Sequence, residues 1–74
     1  MAIPINKVED YRKKYLQGTK LRLTKPIDDP FTPKKVGDIL TVNCIDDAGQ
    51  IHGVWQSGGS IAIIIGLDSF EIVT

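Results

Sequence analysis

The segment that decides the fold is residues 45–61, which read IDDAGQIHGVWQSGGSI. Two turn sequences lie within it, DAG at 47–49 and SGG at 57–59, and their glycines allow the positive φ angles that tight turns require. The strand between the turns places Ile51 and Trp55 on the same face. This succession of strand, turn, strand, turn and strand predicts a small, tightly connected β structure.

Other apolar and β-branched segments of the chain indicate further strands. They lie at residues 19–25, 38–45, 61–65 and 70–73. The segment 38–45 has too many apolar residues for one face, so we expect a β-bulge near Asn43. The pattern predicts a mainly β fold, a small SH3-like barrel of about five strands with an N-terminal α-helix. We expect a single domain over residues 1–74, with the helix at 6–17 and the barrel at 19–74.

The expected helix carries start signals and one apolar face. Asn6 is a candidate N-cap, and Glu9 follows three residues later to complete a capping box. Val8, Tyr11 and Tyr15 recur at helical spacing on one side. Because a helix of three turns is marginally stable alone in water, we expect this face to dock on the barrel.

The charges balance in total and are unevenly distributed. Residues 1–25 contain seven basic and two acidic residues, whereas residues 26–74 contain two basic and seven acidic ones. Such asymmetry indicates a basic face for a polyanion, two complementary halves of one fold, or complementary surfaces of two neighbouring molecules.

The first residues, the longest apolar run and the single cysteine bear on where the protein is located. Polar residues follow Met1-Ala2-Ile3-Pro4, so we expect no secretory signal. The apolar run at 61–65 is far shorter than the ~20 residues that a membrane span needs. Cys44 cannot form an internal disulfide and is expected to be a small buried residue. These features predict a cytoplasmic protein with no membrane partner.

The leading candidate site combines the long loop at 26–37 with the third strand. Long loops in small domains often carry binding residues. The candidate ligand contacts are Asp28, Asp29, Phe31 and Trp55, and they indicate an unknown protein or peptide as the partner. Two alternatives stay open: Trp55 as a core residue, and Phe31 buried by collapse of the loop.

A second hypothesis is nucleic-acid binding by basic residues where the helix meets the first strand. These residues are Arg12, Lys13, Lys14, Lys20, Arg22 and Lys25. Such binding needs several phosphate contacts and is strongly salt-dependent. Surface aromatics for base stacking do not accompany the strip.

Nothing in the sequence assembles a catalytic site, a metal site or a cofactor site. His52 has no nucleophile or orienting group at a recognisable spacing and is expected to face solvent. The aspartates lack the spacing of a calcium-binding loop and read as turn residues. We therefore expect a non-enzymatic protein. Because the fourth strand is apolar on both faces, we expect either the apolar face of the helix or another subunit to cover Ile64. This strand and the small size of the domain also predict self-association into a homo-oligomer.

Three motifs together resemble one known family. They are Asp28-Asp29-Pro30-Phe31, the segment at 46–52 that reads DDAGQIH, and the segment at 66–70 that reads GLDSF. This combination is similar to a small bacterial and phage family catalogued as domain of unknown function 4314. The resemblance implies a stand-alone domain with no established activity. Its phage context adds a third hypothesis, a counter-defence protein that binds a host factor or a nucleotide signal.

Overall fold

A computed structural model describes residues 5–73, with side chains described for residues 7–73. These residues form five antiparallel strands in one sheet and one short helix, which confirms a mainly β fold. The elements are α1 (Ile5–Lys14), β1 (Lys20–Leu23), β2 (Ile39–Ile45), β3 (Gln50–Trp55), β4 (Ile63–Ile64) and β5 (Phe70–Val73). The segment at 1–4, considered above for a secretory signal, lies outside the described residues.

The sheet is a four-stranded meander with β5 added at its first strand, in the order β4-β3-β2-β1-β5. The register between β2 and β3 shifts between Val42 and Cys44, which confirms the bulge expected at Asn43. The bulge lets Val42 and Ile45 both face the core although they are three positions apart and would lie on opposite faces of a regular strand. β4 is shorter than the strand expected at 61–65.

The core lies on one face of the sheet and is closed by the helix. Its buried apolar residues come from α1 and from β1 to β4, and alternate along the strands as the pleat requires. They are Val8, Leu21, Leu23, Leu40, Val42, Ile45, Ile51, Trp55 and Ile63.

Gly53 sits where β2 and β3 approach too closely for any side chain. It is the cross-strand partner of Val42, beside the bulge. A Cβ atom at this position would lie 2.0 Å from the backbone oxygen of Thr41 and 3.1 Å from the Cα atom of Val42. The glycine is therefore a structural requirement of the bulge, as its position inside a strand suggests.

The helix begins and ends earlier than the sequence pattern suggested. It spans Ile5–Lys14 rather than 6–17, so Asn6 lies inside the helix and is not its N-cap. The amide of Gly18 donates to the backbone oxygen of Val42 at 2.8 Å. Residues 15–18 must turn the chain onto β2 to make this bond, and they cannot continue the helix.

The apolar face of α1 packs on the core as expected. Val8 is fully buried, and Tyr11 and Tyr15 pack against the core cluster. The ring of Tyr15 meets the ring of Phe70 edge-to-face, with centroids 5.5 Å apart. With ten residues, α1 is the only helix in the described part of the chain, and it is too short to span a membrane.

Cys44 lies on the outer face of the sheet and is exposed, so the prediction that it is buried is wrong. The bulge turns Cys44 outward, where its cross-strand partner is His52. His52 faces outward as predicted, and its Nε2 lies 2.8 Å from Oδ2 of Asp46. The pKa of Asp46 is lowered from its ordinary value because His52 donates to it, as do the amides of Gln50 and Ala48.

The edge of β4 is closed by the turn that follows it. The amide of Ile64 donates to Oδ2 of Asp68 at 2.8 Å. The backbone oxygen of Ile64 accepts from the amides of Leu67 and Asp68 at 3.1 and 2.9 Å. A second chain would have to displace this turn to pair with Ile64. Self-association stays a prediction, and the backbone edge at Ile64 does not favour it.

Candidate binding loop

The connection between β1 and β2 is a narrow hairpin rather than an irregular loop. Ile27 and Lys34 form an antiparallel pair in which each amide donates to the other's backbone oxygen at 3.0 Å. Residues 28–33 form the tip beyond this pair. At the base, the amide of Leu23 donates to the oxygen of Asp38 at 3.0 Å. Hydrogen bonds thus hold the loop at its base and at its middle.

Asp29 orders the tip. Its Oδ2 accepts from the amides of Phe31 and Thr32 at 2.9 and 2.6 Å and from the Thr32 hydroxyl at 3.2 Å. The pKa of Asp29 is lowered from its ordinary value, first by the amide of Thr32 and then by that of Phe31. Asp29 is therefore an Asx-turn residue, and its carboxylate is engaged within the loop.

Lys34 anchors the loop to the body of the domain. Its side chain is buried, with 4% of the residue exposed. The ammonium donates to Oγ of Ser57 at 3.0 Å and to the backbone oxygen of Gly58. It also lies 5.1 Å from the ring centroid of Trp55, a cation–π contact. One side chain thereby joins the loop, the turn after β3 and the core.

The ordered tip presents an aromatic ring to solvent. Phe31 is 90% exposed, so the expectation of burial by loop collapse is not met. Asp28 beside it is exposed, and Val36 on the same loop is 62% exposed. A phenylalanine held out in water by an ordered backbone is the most conspicuous surface feature of the described residues.

Trp55 lies in the core, so of the two interpretations, a ligand contact or a core residue, the second is correct. Only 2% of the residue is exposed, and its indole N–H donates to the backbone oxygen of Ile61 at 2.8 Å. A ligand in solution cannot reach the ring without displacing its neighbours. Trp55 acts on the loop indirectly, as the surface on which the Lys34 ammonium rests.

The basic strip is partly engaged in contacts within the chain. The Arg12 guanidinium donates to the backbone oxygen of Ile45 at 2.9 and 3.1 Å, to Asp47 at 3.0 Å and to Glu9 at 2.9 Å. The pKa of Arg12 is raised, mainly by its hydrogen bond to Asp47. Arg12 therefore ties α1 to the β2–β3 hairpin.

The second arginine of the strip is also paired. Arg22 contacts Glu71 across β1 and β5 at 2.9 Å. Lys13, Lys14, Lys20 and Lys25 are exposed. The ammonium of Lys14 lies 5.4 Å from the ring centroid of Tyr15. The nucleic-acid and counter-defence hypotheses stay predictions, the first with four of its six cations exposed and outside any ion pair given above.

The acidic residues do not form one cluster: Glu9 and Asp10 lie in α1, Glu71 lies in β5, and the other acidic residues lie outside the helix and strands. Within residues 7–73, no three side chains of His, Cys, Asp or Glu converge on a position that could hold a metal ion. Asp29 and Asp46 instead accept hydrogen bonds from the backbone of their own turns. The interpretation of these aspartates as turn residues is correct for both.

Sequence reasoning missed Lys34. Its partners lie 23 and 24 residues away in the chain, and no period or motif links a loop lysine to a distant turn. The one local signal is the cluster of prolines that makes the loop compact enough to fold back on the body.

The comparisons with known proteins bear on the whole described chain. Residues 5–73 match the family described as domain of unknown function DUF4314. No curated protein and no solved structure matches the chain. The family match covers nearly every residue and includes the motifs quoted above. The chain therefore belongs to the DUF4314 family, as the resemblance of its sequence indicated.

Proposed function

We propose that this domain is a small non-enzymatic module that binds a protein or peptide through the tip of its β1–β2 loop. The observation that carries the proposal is Phe31, 90% exposed on a tip whose backbone Asp29 holds. Aromatic side chains are enriched at protein interfaces, where a few anchors supply most of the binding energy. An anchor that is ordered before binding costs less conformational entropy when the partner arrives.

The fold assigned in this proposal is an SH3-like barrel. The strand order β4-β3-β2-β1-β5 and the long hairpin between β1 and β2 support the assignment. In such domains the first long loop is a common peptide-contacting element. Cytoplasmic location and a bacterial or phage origin complete the proposal, and they rest on the sequence alone.

The loop also indicates what the partner must offer. Phe31 and Val36 are apolar and exposed. Asp29 is engaged with the backbone and Lys34 is buried, so neither offers a side chain to a partner at the tip. We infer that the partner supplies an apolar pocket that takes the Phe31 ring.

The test compares two variants that each lose one exposed apolar side chain. Phe31→Ala removes the proposed anchor, and Val54→Ala removes a residue that is 61% exposed on β3. Both should leave the free energy of unfolding within about 0.5 kcal/mol of the wild type, because exposed side chains contribute little to it. Each protein is immobilised and exposed to an extract of the cell that carries its gene.

We expect a protein that is retained by the wild type and by Val54→Ala and is lost on Phe31→Ala. With the purified partner, Phe31→Ala should weaken binding by about 2 kcal/mol or more, roughly 30-fold. Equal retention by the two variants would show that Phe31 is not the anchor.

A further inference from the structure

Lys34 forms no ion pair within the described residues. Its hydrogen-bond partners, Ser57 Oγ and the Gly58 backbone oxygen, are both neutral, and so is the Trp55 ring beneath it. Lysine is rarely buried unless it is paired, because burying a charge is costly. Here two of the three N–H donors of the ammonium are hydrogen-bonded, and no carboxylate is paired with the charge.

The turn above Lys34 offers unused hydrogen-bond donors. The amides of Gly59 and Ser60 donate to no acceptor among residues 5–73. Ser57 accepts from the ammonium, so its own hydroxyl proton is free to donate outward. Ser57, Gly59 and Ser60 are all exposed. Three neighbouring donors therefore face solvent beside a buried positive charge.

Gly59 brings the backbone close to the ammonium. A Cβ atom at Gly59 would lie 3.2 Å from Nζ of Lys34 and 3.2 Å from the Cβ and Cγ2 atoms of Thr32. Its φ of +86° is in the region that favours glycine. The absence of a side chain lets the turn lie directly over the charge and against the residue that follows Phe31 in the loop.

We propose that the turn at 57–60 is an oxyanion-recognition site. The Ser57 hydroxyl and the amides of Gly59 and Ser60 donate to the anion, and the Lys34 ammonium supplies the positive charge behind Ser57. Backbone amides that converge near a fixed cation are a recurrent way to hold a phosphate or a carboxylate. The anion contacts Ser57 and the amides, so Lys34 keeps its present contacts.

The position of the site deepens the proposed function. Thr32 lies between the Phe31 tip and Gly59, so one partner can fill both positions. A phosphorylated side chain and an acidic side chain share the chemistry that the site recognises. Only the assignment of the anion to the partner of Phe31 rests on the proposed function, because the site itself does not include Phe31.

The test is a titration of the ¹⁵N-labelled domain with inorganic phosphate and, separately, with acetate. Sodium chloride keeps the ionic strength constant, because added salt screens charge by itself. We expect saturable shifts of the Gly59 and Ser60 amide signals. Binding of phosphate alone would identify a phosphorylated ligand, whereas comparable binding of acetate would identify a carboxylate ligand.

Lys34→Met removes the buried charge and keeps an apolar stem over Trp55, and Lys35→Met removes one charge from the exposed neighbouring residue. We expect Lys34→Met to weaken phosphate binding about tenfold or more and Lys35→Met about twofold at most, because the exposed charge is screened by water. Phe31→Ala should bind phosphate like the wild type, which separates this proposal from the proposed function.

Two results would overturn the proposal. One is the absence of any saturable shift of the Gly59 and Ser60 amide signals in the wild type. This result is decisive even if Lys34→Met does not fold. The other is an equal loss of binding in Lys34→Met and Lys35→Met, which would indicate diffuse attraction to the basic surface.

Discussion

Gly53→Ala should prevent the domain from folding. The added methyl group would lie 2.0 Å from the Thr41 backbone oxygen and 2.9 Å from the carbon that bears it. Both atoms belong to the backbone of β2, so no side-chain movement relieves the overlap. The strands must separate at the bulge, where Val42 and Ile45 are both buried.

The expected loss exceeds about 4 kcal/mol, which places it among the largest effects of single substitutions. A domain of 74 residues has a free energy of unfolding of roughly 4–11 kcal/mol in total. Circular dichroism and amide dispersion should therefore report a largely unfolded chain.

Gly66→Ala is the matched control for this prediction. Gly66 has a φ of +91°, and a Cβ atom there would meet nothing within 4 Å. We expect this variant to lose only about 1–2 kcal/mol from backbone strain and to stay folded. A Gly53→Ala protein that unfolds cooperatively within 1 kcal/mol of the wild type would contradict the close approach of β2 and β3.

Trp55→Ala should cost about 3–5 kcal/mol of the free energy of unfolding, as is usual when a buried aromatic side chain is removed. The substitution removes a buried aromatic side chain from the core and leaves the Ile61 backbone oxygen without its donor. It also removes the ring on which the Lys34 ammonium rests. Urea unfolding at neutral pH measures the loss.

Trp55→Phe separates packing from hydrogen bonding. It keeps an aromatic ring and removes the indole N–H, so we expect a smaller loss of about 1–3 kcal/mol. If Trp55→Ala unfolds at the same urea concentration as the wild type, Trp55 is not the buried core residue described above.

The strands and turns of this chain could be predicted because their signals are local. Alternation placed Ile51 and Trp55 on one face, and the excess of apolar residues in β2 predicted the bulge at Asn43. Cys44 was assigned to the wrong face, because the sequence shows that a bulge exists without showing which residues it turns outward. The prediction of the C-terminal end of the helix was wrong for a related reason. A long-range backbone hydrogen bond from the Gly18 amide to the Val42 oxygen ends α1 early.

In the candidate site, too, the features with local signals could be predicted, whereas those that depend on long-range contacts could not. Asp29 could be recognised as a turn residue from the prolines and aspartates around it. The exposure of Phe31 could not be predicted from the sequence, because it depends on how the loop folds against the rest of the domain. Lys34 donates to Ser57, 23 positions away, and Arg12 donates to Ile45, 33 positions away, so the structural roles of both residues appear only in three dimensions.

Binding through Phe31 with little entropic cost requires that the tip at 28–33 is ordered in the free domain. Backbone ¹⁵N relaxation of the wild-type protein tests this requirement most directly, by comparing order parameters of residues 28–33 with those of β1 to β3. We expect values of about 0.85 in the loop, like those of the strands, whereas values below about 0.6 at Phe31 and Thr32 would show that the tip is disordered before binding.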